Sequence, residues 1–209
     1  LPVCKLRDSG VMNELLLDII RINVRVPDQT VGDLLANVAC NEVGGRSLLE
    51  FMEEYGLEEI ESLSDAVNDH AEAAMRERIA EIPDGTYENS IQIEGPGHPI
   101  TLTATVRIAG PDVFIDFTGT GDPVRASINV PFCYTIAQSN YVIKCLTIPS
   151  LPNNEGSMRP ITVTAPENCV LNALSPWPTG GRHSVGHFVV PLLMGALAPA
   201  LPDKVQADA

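Results

Sequence analysis

GTYENSIQIEGPGHPITLTATVRIAGPDVFIDF, residues Gly85–Phe117, decides the fold class. Ser90–Ile93 alternates polar and apolar residues. From Ile100 to Ile108 the alternation is sustained, with Ile100, Leu102, Ala104, Val106 and Ile108 on one side and Thr101, Thr103, Thr105 and Arg107 on the other. A period of two places successive side chains on opposite faces of a strand, so this segment predicts a sheet with one apolar face. Val113–Phe117 predicts a further strand. The turns Gly95–Pro99 and Gly110–Asp112 are short enough to join antiparallel neighbours.

Upstream of this block the period is helical. Leu15, Leu16, Ile19 and Ile20 fall on one face of a helix predicted over Val11–Arg21. Asp28 or Thr30 offers a cap for a second helix running to about Glu42. Gly44–Gly45 is expected to stop or bend it, with a restart at Ser47 and an end at Gly56. A third helix is predicted over Ser64–Glu81, closed by Pro83. Downstream, Tyr134, Ala137, Tyr141 and Cys145 recur at helical spacing within Pro131–Ile148, and Ile161–Thr164 reads as a short strand. Gly180–Gly181 precedes a last helix over Ser184–Ala198, with a possible break at Pro191. Helices, then strands, then mixed elements predict an α+β fold. N-terminal helices lead into a mostly antiparallel sheet block with further helices. The expected domains are a helical region, 1–82, and a mixed region, 83–209.

Composition narrows the function classes. The chain has 209 residues, 44% of them apolar, enough for a sizeable core. Its net charge of −14 opposes non-specific nucleic-acid binding and anionic membranes. The five cysteines are scattered with no C-x-x-C, which reads as reduced core thiols in a cytoplasmic protein rather than a disulfide or zinc framework. No basic segment precedes an apolar run at the N-terminus, so no leader peptide is expected. Phe188–Leu201, the longest apolar stretch, is too short and proline-broken to span a bilayer.

Several groups could carry chemistry. Gly180-Gly181-Arg182-His183 suits an anion site, because glycines at a helix start leave backbone N–H groups facing outward. His183 and His187, four residues apart, share a helix face as a zinc pair would, but Ser184 stands where a zincin has its glutamate base. Asp116 and Asp122 flank a Thr/Gly loop and could orient a cation or a water; they could equally cap turns. Asn129, Asn153 and Asn154 could line a polar pocket or serve as turn residues. Tyr134 and Tyr141, at helical spacing, read as core.

Further stretches carry a specific pattern. In Ile148–Asn172, Pro152, Asn154, Gly156, Arg159, Pro160 and Ile161 are followed by Pro166, Leu171 and Asn172. Asn23, Arg25 and Pro27 precede Gly32, Asp33, Leu34 and Ala36. Glu50 precedes Tyr55–Gly56, and the series continues with Asp84-Gly85-x-Tyr87, Asp116-Phe117-Thr118-Gly119-Thr120, Asn129-x-Pro131 and Arg182–His183 with Gly186. In this order the motifs resemble the hydantoinase B/oxoprolinase family along nearly the whole chain.

The resemblance implies a central segment of a larger B-type subunit. Such a subunit would work with an A-type, ATP-binding partner to open cyclic amides such as hydantoins, 5-oxoproline or lactams. The alternatives are part of an acetone or acetophenone carboxylase large subunit, or a non-catalytic assembly module. ATP and a divalent metal are implied for the whole enzyme. The family's metal-site stretches, Asn-Asp-Pro and Gly-Gly-Thr-His, do not occur in this sequence, so no cofactor and no metal ligand is assigned here. As motif matches, Asp116, Asn129, Asn154, Arg182 and His183 are the expected substrate-binding residues.

Overall fold

The computed structural model describes residues 3–205. The chain divides into two compact units between Ser62 and Leu63. This is earlier than the expected division at 82/83, because the third helix belongs with the sheet rather than with the first helices.

In the first unit, β1 (Arg7–Asp8) pairs antiparallel with β2 (Val11–Met12) across a turn in which Ser9 and Gly10 both have positive φ. The first helix therefore starts later than its apolar pattern suggests. Asn13 caps α1 (Glu14–Asn23), its side chain accepting from the Leu16 amide at 3.1 Å. Leu16 and Leu17 are buried. The second helix and its expected restart at Ser47 form one 29-residue helix, α2 (Pro27–Tyr55). Neither Asp28 nor Thr30 is its cap. Pro27 occupies the first turn, where its missing N–H costs nothing. Gly44 and Gly45 do not interrupt it: glycine is a poor helix former, at about 1 kcal/mol relative to alanine, but it ends a helix only where the backbone turns left-handed. That happens at Gly56 (φ 64°), where the chain closes on the Glu53 and Met52 carbonyls. Most of the large apolar side chains of α2 are exposed, among them Val43, Leu49 and Tyr55.

α3 (Glu61–Ile79), which lies in the second unit from Leu63 onward, buries Ala71, Met75 and Ile79. Then β3 (Gly85–Ile93), β4 (Ile100–Ala109) and β5 (Asp112–Asp116) form an antiparallel meander in register Ser90↔Thr103 and Val106↔Ile115. A helix, α4 (Phe132–Thr147), follows, and β6 (Ile161–Thr164) then joins β5 in parallel, Ile115 opposite Val163. The expected antiparallel character thus holds for three strands. The last pair is a βαβ unit, because α4 carries the chain back so that β6 enters beside Val113 in the same direction.

The apolar face foreseen for β4 is buried throughout, with Leu102, Ala104 and Val106 fully inaccessible. It is covered by α6 (Val189–Leu197), whose Leu192, Leu193 and Leu197 are fully buried and which in turn packs on α4. Asn89 reaches across from β3 to donate to the Leu192 carbonyl at 3.0 Å. The opposite sheet face stays accessible and polar, with Arg107 stacked 3.9 Å over the Phe114 ring. The last predicted helix is two: α5 (His183–Gly186), then α6, in which Pro191 is tolerated because it lies in the first turn. Only Cys169 of the five cysteines is buried; the other four are exposed, contrary to the core-thiol expectation. Burial raises the Cys169 thiol above its ordinary range. Among the described residues no helix is long and apolar enough to cross a membrane.

Candidate functional site

Two loops leave the C-terminal ends of the parallel pair β5 and β6, residues 117–131 and 165–182, and backbone bonds knit them together. Val170 donates to Gly121 at 2.9 Å, Val130 to Val170 at 2.8 Å and Ala173 to Val130 at 3.0 Å. Asn129 closes this platform from inside. It is fully buried; its Oδ1 accepts from the Val124 amide at 2.8 Å, and its Nδ2 donates to the carbonyls of Val124, Ala126 and Pro178 at 2.9–3.0 Å. Every polar atom of the side chain is thereby committed to backbone, so Asn129 shapes the platform and has nothing left to offer a substrate.

Ser127 ties the surface. Its Oγ accepts from the Gly180 amide at 2.9 Å and its carbonyl from Gly181. A Cβ on either glycine would come within 2.9 Å of Ser127. The loop must therefore be glycine here to lie flat, and this presents Arg182 and His183 at its edge, both exposed. His187 Nδ1 lies 2.6 Å from the His183 carbonyl, so the pair is joined through backbone and does not converge as two ring ligands. Among the described residues no group of three or more His, Cys, Asp or Glu is placed to hold a metal. The residues present do not fit a metal centre.

Asp116 ends β5, where it accepts from the Thr118 amide at 3.1 Å and its hydroxyl at 2.9 Å, and from Thr164 Oγ1 at 3.2 Å. That is turn capping across the β5–β6 pair. Asn154 lies before β6, at the other end of the pair, where its Oδ1 accepts from the Ser157 amide at 2.9 Å and starts the 3₁₀ turn Gly156–Met158. Asp116, Asn129, Arg182 and His183 thus belong to one set of loops, and Asn154 does not.

The Pro-rich motif clamps that far end to α3. The Gly156 amide donates to Asn68 Oδ1 at 3.1 Å. Arg159 pairs with Asp69 and Glu72, both at 3.1 Å, and Arg76 pairs with Glu72 at 2.8 Å and with Asp112 at 2.6 Å. Arg76, and then Arg159, hold the Glu72 carboxyl below its ordinary 4.5. A carboxyl with a depressed folded pKa adds stability that is complete above its ordinary value and is lost as pH falls through the depressed one. Wild type should therefore melt a few °C above Glu72→Gln at neutral pH, a small margin because the pairs are partly exposed. The margin should narrow as pH falls below the ordinary 4.5, as melting curves recorded from neutral to acid pH would read.

Between α4 and the 149–158 loop lies a cavity of about 550 Å³. Met75, Ile136 and Met158 give it apolar walls, and Asn140, Lys144 and Asn153 give it polar ones. Asn153 is a pocket residue, as its sequence suggests, but Asn129 and Asn154 do not line this cavity. Tyr141, expected in the core, is 57% exposed and lines the cavity; its hydroxyl is held above the ordinary range by hydrogen bonding with Cys145. Asn140 escapes a reading of the sequence. Its signal is a carboxamide beside the apolar Val142 and Ile143 on a core-facing helix, where a polar residue needs a partner.

The family model for Hydantoinase B/oxoprolinase matches residues 1–209. The chain is 32% identical to the B-type component of a D-/L-hydantoinase of Pseudomonas sp. (strain NS671), over 97% of this chain and 37% of that protein. It is 30% identical to 5-oxoprolinase 1 of Arabidopsis thaliana, over 71% of this chain and 13% of that protein. It thus spans little more than a third of the first of these relatives. In structure it resembles the ATP-dependent caprolactamase from Pseudomonas jessenii, with a TM-score of 0.85, 26% identity, and coverage of 98% of this chain and 36% of that one. Acetone carboxylase, with a TM-score of 0.76 and 17% identity over 98% of this chain and 30% of that one, shares the fold alone. The chain belongs to the hydantoinase B/oxoprolinase family.

Proposed function

We propose that this chain is a central part of the B-type subunit of an ATP-dependent cyclic-amide hydrolase, acting in the cytoplasm with an A-type, ATP-binding partner. The observation that carries the reading is the family match along the entire chain. The likeness to an ATP-dependent caprolactamase supports it. In the reaction, the γ-phosphoryl of ATP passes to the ring amide oxygen and ADP leaves; water then adds to the activated carbon, the C–N bond breaks and inorganic phosphate is released. The carbon leaves as a carboxylate and the nitrogen as an amine or ureido N–H.

Within that scheme we assign Arg182 and His183, on a glycine-flattened edge, to the substrate side. Arg182 would meet carbonyl or phosphate oxygens through its planar fork. Asn129 and Asp116 hold the platform that presents them, and Asn154 holds the loop at the other end of β5 and β6. A metal, if the enzyme uses one, would draw its ligands from outside this segment.

The test uses the whole gene product with its A-type partner, ATP, Mg²⁺ and a panel of hydantoin, 5-oxoproline and lactams. The expected outcome is ring opening coupled to ATP consumption without bicarbonate. Arg182→Met and His183→Asn should lower that turnover with Tm unchanged. ATP consumption that requires bicarbonate would mean the carboxylase chemistry, and tight complex formation without turnover would mean an assembly module.

A further inference from the structure

The cavity beside α4 has no part in the platform above, yet it has the makings of a binding site. Asn140 is only 9% exposed, lines the cavity, and its Oδ1 has no hydrogen-bond partner among the described residues. Buried acceptors in folded proteins are almost always paired, so this one awaits a donor. Lys144 stands one turn further along the same helix face, about 6 Å away along the axis at about 1.5 Å per residue. Its ammonium touches the neutral Asn153 Oδ1 and makes no ion pair among the described residues. The rest of the wall is largely apolar, with Met75, Ile136 and Met158.

We propose that this cavity binds a small amino- or ureido-carboxylate. Its N–H donates to Asn140 Oδ1 once the carboxamide, whose oxygen is shielded in this structure, turns toward the cavity; its carboxylate sits at Lys144, and its aliphatic part lies against Met75 and Ile136. Hydantoin and simple lactams lack the anionic end that Lys144 calls for, and opening their rings creates both ends at once; 5-oxoproline has a carboxylate already but gains its free amine only on ring opening. The ligand class is therefore that of the ring-opened product. This identification rests on the proposed hydrolase reading, while the acceptor–cation pair does not. The site lies beside α4 and the 149–158 loop, apart from the loop edge that carries Arg182 and His183, and so would read product without blocking that edge.

Cys133 and Cys145 are exposed and line the same cavity, so their alkylation reports its occupancy. The experiment labels the whole enzyme with iodoacetamide, without ATP, and follows each cysteine by peptide mass spectrometry. The probe is 6-aminohexanoate; hexanoate, hexylamine and caprolactam are the controls. At about ten times its Kd, 6-aminohexanoate should slow labelling of Cys133 and Cys145 about tenfold, as simple occupancy requires. The controls should protect far less, and Cys40, in the first unit, should be unaffected. Lys144→Met, a change at a partly exposed position, should remove the protection; Asn140→Leu should do the same if it folds.

Equal protection by hexanoate, no protection by 6-aminohexanoate at millimolar concentration, or cysteines already inert without ligand would each overturn the proposal. Protection without any ATP-coupled ring opening would remove the product label and keep the site. Ring opening without protection would remove the site and keep the proposed function.

Discussion

Asn129→Leu should lower stability by about 4 kcal/mol, with a melting temperature about 10 °C below wild type. The replacement keeps the branched outline of the side chain, so most of the effect comes from hydrogen bonds, with the bulkier methyl groups adding some overpacking. Asn129 is inaccessible, and its carboxamide serves one backbone amide and three backbone carbonyls. Each buried group stranded by the change costs about 1–3 kcal/mol, reduced where the loop can open to water. Asn129→Asp should be no better, because a carboxylate keeps the acceptor for Val124 N–H but faces three carbonyl oxygens without a donor. Thermal melts of the two variants by circular dichroism decide the matter. A loss below about 1 kcal/mol would show that the platform does not depend on this side chain. Since the Asn129–Pro178 bond joins the two loops, the same variants should loosen the edge that carries Arg182 and His183 before they unfold the sheet.

Gly156→Ala should cost about 3 kcal/mol, from overpacking together with a lost hydrogen bond. A Cβ at this position would lie 1.9 Å from the Asn68 carbonyl oxygen and 2.5 Å from its carbon. Both are backbone atoms of α3, so no rotamer change relieves the clash. The loop must back away, and it then gives up the Gly156–Asn68 hydrogen bond. Gly44→Ala is the matched control: nothing lies within 4 Å of its Cβ and the position is helical, so alanine there should stabilise by up to about 1 kcal/mol. Chemical denaturation of both variants tests the pair. If the two changes had similar effects, the close approach of the motif loop to α3 would be wrong. Ser157 and Met158 line the cavity beside α4, so Gly156→Ala should also weaken protection of Cys133 and Cys145.

These two residues separate what local sequence carries from what it does not. Asn129 and Gly156 stand out as motif positions, and asparagine and glycine suggest turns. Neither observation says that one is a buried four-bond hub or that the other is pressed against a helix 88 residues away. Arg182 and His183 stand out in sequence as part of a Gly-Gly-Arg-His run, but Gly44–Gly45 runs inside a helix, so it is the contacts of Gly180 and Gly181 with Ser127 that reveal the edge. Asn140 is not legible as functional, since its importance rests on an unpaired oxygen, and pairing is a property of the packed interior.

The sequence by itself determined the α+β class, the three antiparallel strands and the family, because side-chain period and turn chemistry are local and motif order survives without coordinates. Tertiary structure alone decided that β6 runs parallel to β5, that α3 joins the sheet unit, that α2 passes unbroken through Gly44–Gly45, and that four of five cysteines are exposed. It also set Asn154 at the opposite end of the β5–β6 pair from Asp116. Strand direction, burial and hydrogen-bond satisfaction are fixed by contacts between residues far apart in the chain, and no window of sequence contains both partners.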